Sequence, residues 1–264
     1  MQDASHPSAP TEEGGSLLEV ATKLGRQVRG TWVVGLFPDA SEAGGSFRPS
    51  LKASKIGLST PDPARPGEEA ARRAGTSIRR YAASNRLNRL GTLTYATGCH
   101  DQRQLRADVG DFFRVIREKV GEPFPYLWVP EWHPSGHGLH VHFAVGRYIR
   151  QSAIKTAWGR GFVHIKLIGD VPMGQGQLGE ARIAARYLAK YVRKGLGDER
   201  EKGLHRYECA QGFQPRVERI VAHTAHAAIG EASERMGRWP ELIWRSRDAD
   251  RWFGPPAVWV SWNR

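Results

Sequence analysis

"GHGLHVHFAVG", Gly136 to Gly146, sets two histidines one residue apart in a run of β-forming residues. Strand side chains alternate faces with a period of two, so His140 and His142 share one face and Val141 takes the other. Such a pair is either incidental to a half-buried strand or offers two ring nitrogens to one metal ion. The neighbouring residues favour the second reading. Upstream, "PYLWVPEWH" (Pro125–His133) is another strand-like run, and "PSGH" (Pro134–His137) supplies the proline and glycine of a hairpin turn. That hairpin puts Glu131 almost opposite the histidines, at the roughly 4.8 Å spacing of adjacent strands. Two nitrogens and one carboxylate, with further positions open, suit a divalent ion such as Mn²⁺ or Mg²⁺ that also binds phosphate oxygen. His133 and His137 flank the turn and are weaker candidates.

Outward from the hairpin the pattern stays regular. "LGTLTY" (Leu90–Tyr95) is a short β-rich run. In "QLRADVGDFFRVIREKVG" (Gln104–Gly121), Leu105, Val109, Phe112, Phe113, Ile116 and Val120 share one helical face. "QSAIKTAWG" (Gln151–Gly159) predicts a short helix and "GFVHIKLIG" (Gly161–Gly169) a strand. The order β-α-β-β-α-β predicts an α+β fold: a ferredoxin-like or RRM-like antiparallel sheet with helices on one face.

One more helix follows, "GEARIAARYLAKYVRKG" (Gly179–Gly195). Tyr187, Lys190, Tyr191 and Lys194 stand at i, i+3, i+4 and i+7, on one face. Ala184, Ala185, Leu188 and Val192 form another face, suited to packing on the sheet. A tyrosine oxygen attacks best as phenolate, and its reference pKa is about 10. Neighbouring ammonium groups favour the ionised form and can also hold a phosphodiester.

The chain has 264 residues, 40% of them hydrophobic, enough to bury a core. Lysine plus arginine number 39 against 27 acidic residues, a formal charge of +12, which points to a polyanionic partner. Two cysteines, Cys99 and Cys209, are too few for a disulfide scaffold. No apolar signal core and no run of membrane-spanning length occurs, so a cytoplasmic protein without a membrane partner is expected.

Four segments are expected: a disordered tail (1–16), an N-terminal extension (17–66), a core with a preceding basic helix (67–222), and a tryptophan-rich packing segment (223–264). The extension holds one strand-like run, "TWVVGLF" (Thr31–Phe37), before a Gly/Ser-rich stretch, and "PDPARPG" (Pro61–Gly67) reads as a linker. The basic helix, "EEAARRAGTSIRRYAASNRLNRL" (Glu68–Leu90), carries Arg79, Arg80, Arg86 and Arg89 as candidate DNA contacts. The alternative for them is a merely solvated basic face.

In its motifs the chain resembles the HUH endonucleases, specifically the rolling-circle replication initiators of actinobacterial plasmids, phages and integrative elements. "GTLTY" (Gly91–Tyr95) matches their first motif, "GLHVHFAV" the His-hydrophobic-His motif, and "YLAKYVRK" the tyrosine motif. "LHRYECAQGFQP" (Leu204–Pro215) resembles a further segment of these initiators. The tyrosines follow the histidines, as in initiators, whereas conjugative relaxases carry theirs first.

The resemblance implies a metal-dependent nuclease acting on single-stranded or hairpin origin DNA. Tyr191 would attack first, leaving a 5′-phosphotyrosyl ester and a 3′-hydroxyl primer. Tyr187 would serve the later cleavage and religation, and Lys190 and Lys194 would assist. No G-x-x-x-x-G-K-[ST] segment is present, so a host helicase would be needed alongside the host DNA polymerase. A two-tyrosine transposase, a non-catalytic initiator-derived repressor and an RNA-binding module of the same topology are the competing readings. The last would carry stacking aromatics where this chain has histidines.

Overall fold

The structure, a computed structural model, describes residues 29–50, 65–169, 176–195, 205–250, 252 and 254–263. The expected tail and the linker up to position 64 lie outside them. The chain divides into two units, Met1–Leu36 with Ala43–Ile56 and Arg219–Val260, and Phe37–Glu42 with Gly57–Glu218 and Ser261–Arg264. Both are α+β, and together the described residues hold five helices and two five-stranded sheets.

The first unit joins what the sequence separates into an N-terminal extension and a C-terminal segment. Its strands are β1 (Gly30–Phe37), β2 (Glu42–Pro49), β8 (Glu218–Ala222), β9 (Leu242–Arg245) and β10 (Ala257–Ser261), in the order β8-β1-β2-β10-β9. Helix α5 (Ala225–Met236) starts on Thr224, whose hydroxyl accepts from the Ala227 amide, and ends at Gly237 in the left-handed region. The Gly/Ser-rich stretch is itself a strand. A Cβ at Gly45 would stand 2.0 Å from the Val33 carbonyl oxygen, so β2 needs glycine where it crosses β1.

The second unit carries the β-α-β-β-α-β run. Its elements are β3 (Arg89–Tyr95), α2 (Gln102–Val120), β4 (Tyr126–Trp132), β5 (Leu139–Val145), α3 (Gln151–Trp158) and β6 (Gly161–Leu167). Before them comes α1 (Arg65–Ser84), and after them α4 (Gly176–Lys194) and β7 (Glu208–Cys209). The strand order is β6-β3-β5-β4-β7, with the described pairs antiparallel. The segment "LHRYECAQGFQP" supplies β7, which pairs with Leu127 and Trp128.

Helices cover both faces of this sheet, not one as the sequence pattern predicts. On one face, Leu105, Val109, Phe112 and Ile116 of α2 and Ile154 and Trp158 of α3 pack with Leu93, Val141, Phe143 and Val163. On the other, Ile78 of α1 and Ala184, Ala185, Leu188 and Val192 of α4 pack with Leu90, Leu127, Val129 and Ala144. Helix α2 begins at Asp101, whose carboxylate accepts from the Arg103 and Gln104 amides at 2.7 and 3.1 Å. Its buried Asp108 accepts the Tyr95 hydroxyl at 2.7 Å and pairs with Arg160 at 2.9 Å. That satisfies a charge the apolar stripe would otherwise strand.

Gly91 has a packing role of its own. A Cβ there would lie 2.1 Å from the ring of Phe143, which is buried edge-on against Phe112 and Phe113. Gly91→Ala is therefore expected to destabilise the unit by about 1–3 kcal/mol. The fall in its unfolding midpoint in urea checks this.

Candidate functional site

The side chains that alternate onto the α4 face of the sheet form two rows. Pairing sets Thr94 opposite His140 and His140 opposite Glu131; the next row sets Thr92 opposite His142 and His142 opposite Val129. Sheet geometry alone thus brings Glu131 and the two histidines together, as the hairpin predicts. The Glu131 carboxylate reaches along the strand to His142, with Oε2 2.7 Å from Nε2. Its Oε1 accepts from Lys194 Nζ at 3.0 Å.

Each histidine is held from behind. Thr92 Oγ1 lies 3.2 Å from His142 Nδ1, and Thr94 Oγ1 lies 3.3 Å from His140 Nδ1. A hydroxyl donates or accepts, so each threonine can orient its imidazole in either tautomer. These threonines are absent from the sequence-level site. Their signal was present: "GTLTY" repeats the period-two spacing of "HVH". The turn histidines are near too. His133 stacks on His140 with ring centroids 4.5 Å apart, and His137 Nε2 lies 2.8 Å from the Tyr95 carbonyl oxygen.

Helix α4 brings the phenols onto this face. The Tyr191 ring stacks on His142 at 3.8 Å between centroids and 12° between planes, and its hydroxyl donates to Tyr187 Oη at 2.7 Å. Tyr191 is buried, 9% exposed, whereas Tyr187 is 40% exposed. Lys194 Nζ is 5.2 Å from the Tyr191 ring centroid. Lys190, one turn earlier, is exposed. All four α4 candidates except Lys190 therefore touch one another or the sheet residues.

The electrostatics correct one expectation. The sequence suggests that lysine lowers the tyrosine pKa; instead Tyr191 is pushed above the ordinary phenol range, by burial first, then by its hydrogen bond to Tyr187 and by the Glu131 charge. Lys194 spends its charge on Glu131. Both histidines are shifted down, chiefly by burial, with neighbouring imidazoles adding to the shift at His140 and Glu131 opposing it at both. Neutral imidazole is the form that ligates a metal.

The residues fit a divalent ion in donor chemistry. His140 Nε2 is buried with no hydrogen-bond partner, an orphaned nitrogen on the same face as a second imidazole and a carboxylate. As the side chains stand, no three His, Cys, Asp or Glu groups among the described residues converge as an ion would require. Glu131 is turned onto His142 and Lys194. Ligation by all three asks Glu131 to release those contacts.

The candidate DNA-contacting arginines lie elsewhere and have protein partners. Arg79 and Arg80 both bind the buried carboxylate of Glu42, at 2.8 and 2.7 Å. Arg86 donates to the carbonyls of Asp39 and Ala83, and Arg89 to Asn88 and Gly146. The structure gives each an intramolecular role and brings none to the histidine–tyrosine cluster. Sequence reasoning also passed over the uncovered edge of the same face. In β6, Phe162 pairs with Thr94 and His164 with Thr92, and Phe162 is 72% exposed.

Thus a threonine-backed histidine pair, a hairpin carboxylate and two helix-borne phenols meet on one sheet face. Residues 88–196 match the family model of the replication-associated protein ORF2. The match opens just before β3 and closes just after α4, so it holds every residue of the cluster. Helix α1, β7 and the whole first unit fall outside it. No curated protein and no solved structure matches the chain. No helix among the described residues is long and apolar enough to cross a membrane.

Proposed function

We propose that this protein is a rolling-circle replication initiator of the HUH type, a metal-dependent nuclease and strand transferase that nicks single-stranded origin DNA with a tyrosine. The observation that carries the reading is the stacking of Tyr191 on His142, with the Tyr187 hydroxyl 2.7 Å from that of Tyr191. A nucleophile and the donors for a cation share one spot, as phosphodiester transfer needs. The strand order β6-β3-β5-β4 suits a ferredoxin-like core. The family match favours replication over transposition.

A divalent ion, Mn²⁺ or Mg²⁺, would be held by His140, His142 and Glu131, and when bound supplies Lewis-acid polarisation of the scissile phosphate. The chain's own residues do the rest. Thr92 and Thr94 fix the imidazoles. Lys190 and Lys194 offset the phosphate charge, Lys194 once Glu131 has turned away. Tyr191 oxygen bonds to phosphorus as the bond from phosphorus to the 3′-oxygen breaks. The phenolic proton ends, in net balance, on the freed 3′-hydroxyl, which primes synthesis by the host polymerase. The phosphotyrosyl ester conserves the phosphodiester bond, so religation needs no nucleotide. Tyr187, one turn away, is placed to cleave the regenerated site.

The test is to incubate the purified protein with Mn²⁺ and single-stranded oligonucleotides tiling the DNA around its own gene. A DNA-linked, slower-migrating protein band on a denaturing gel is expected, and EDTA removes it. His140→Ala and His142→Ala are expected to lower the band at least about a hundredfold while leaving DNA binding within about threefold. A metal-independent band, or none on any oligonucleotide, overturns the reading.

A further inference from the structure

A second feature of the same unit lies away from the histidine–tyrosine cluster: an open groove of about 480 Å³ between α1 and α4. Its floor is made of small residues. A Cβ on Gly75 would lie 3.7 Å from the Ala189 side chain, so the two helices approach closely there. Its walls are arginines, Arg72 and Arg79 from α1 and Arg186 and Arg193 from α4. On each helix the two arginines are seven residues apart. Two turns separate them, about 10.5 Å along the axis, so each pair points the same way.

The charge in the groove is not cancelled. Among the described residues Glu68 is the one acid lining it. Glu42 is shared by Arg79 and Arg80, and Arg72 is 3.8 Å from Glu69. Among the described residues neither Arg186 nor Arg193 has a carboxylate partner, and both are exposed. Four guanidiniums in two facing pairs therefore hold a net positive trough.

We propose that this groove binds the phosphate backbone of double-stranded DNA, the stem adjoining the single strand that the tyrosines would cut. Guanidinium forks match phosphate oxygens bidentately. No aromatic side chain among the described residues lines the groove, so it offers nothing for an unpaired base to stack on, whereas a duplex turns its bases inward and presents phosphate. Helix α1 lies before the family match, so half of the groove is this chain's own addition to that domain. The groove assigns duplex contacts to Arg72, Arg186 and Arg193, with Arg79, and leaves Arg80, Arg86 and Arg89 structural.

The proposal stands apart from the nicking chemistry and is tested without it. A labelled hairpin oligonucleotide with a duplex stem is titrated in EDTA across a salt series. Arg186→Ala/Arg193→Ala is expected to weaken binding about tenfold and to flatten the log Kd against log salt slope by about 1.8, at roughly 0.9 per lost phosphate contact. Arg186→Lys/Arg193→Lys should restore the slope. The double alanine variant should still form adduct on a short single strand to within about twofold, and Tyr187→Phe/Tyr191→Phe should bind the hairpin as the parent does. An unchanged salt slope overturns the proposal. So does an equal loss of affinity for a stemless single strand, or displacement of the hairpin by ATP as efficient as by unlabelled duplex, which would mark a nucleotide site. If the double variant fails to fold, Arg72→Ala on the facing wall must flatten the slope by about 0.9, or the proposal falls.

Discussion

Tyr187→Phe/Tyr191→Phe is expected to form no covalent adduct with single-stranded DNA, a loss of at least about a thousandfold, the scale on which a catalytic nucleophile fails when removed. The double change removes both hydroxyls that α4 sets beside His142. Phenylalanine keeps the ring, so the stacking on His142 and the packing of α4 survive. The single changes should be unequal. Tyr191 lies on the imidazole at 3.8 Å, and Tyr191→Phe should remove most of the first cleavage. Tyr187 is the more exposed and sits one turn away, so Tyr187→Phe should keep the first nick and impair strand transfer. Adduct on a denaturing gel reads the first step, and joining of a second labelled oligonucleotide reads the other. Adduct formed by the double variant would move the nucleophile off α4 altogether.

Glu42→Ala is expected to cost about 3 kcal/mol in the second unit. Its side chain is fully buried, and Arg79 and Arg80 donate to it at 2.8 and 2.7 Å. Removing it leaves two guanidiniums without their shared anion, worse than losing a surface pair. Burial alone would raise the Glu42 carboxyl; the hydrogen bonds and charges of Arg79 and Arg80 outweigh it and hold it below the usual carboxylate range.

Linkage sets the sign. The stability this group adds is fully present above the unfolded carboxyl pKa, near about 4.3, and is lost as pH falls through the depressed folded value. Glu42→Gln should therefore remove part of the acid sensitivity as well as some stability. Hydrogen exchange of α1 amides, followed from neutral pH downward, reads both. Unaltered α1 protection in Glu42→Ala would show that the pair adds nothing.

The Glu42 pair also marks where reading the chain stops. Glu42 lies 37 residues before Arg79, in a stretch rich in glycine and serine, and nothing local says that the arginines turn inward onto it. The same holds for β2, whose Gly45 serves close approach to β1 and weakens the strand signal. The sheet of the first unit is likewise out of reach of local pattern, because it pairs strands from the two ends of the chain. The two-sided covering of the other sheet followed from which helix faces met it, a choice made by long-range contacts.

By itself, the sequence determined what covalent geometry transmits along a few residues. His140 and His142 share a face because strands alternate. Glu131 stands opposite because a short turn fixes the register. Tyr187, Tyr191 and Lys194 align because a helix repeats about every 3.6 residues. Only the tertiary structure decided what those faces meet: threonines behind the imidazoles, Lys194 on Glu131, burial that lifts the Tyr191 phenol, and arginines of two helices facing one groove. Side-chain contacts and desolvation depend on elements far apart in the chain, and no local periodicity encodes them.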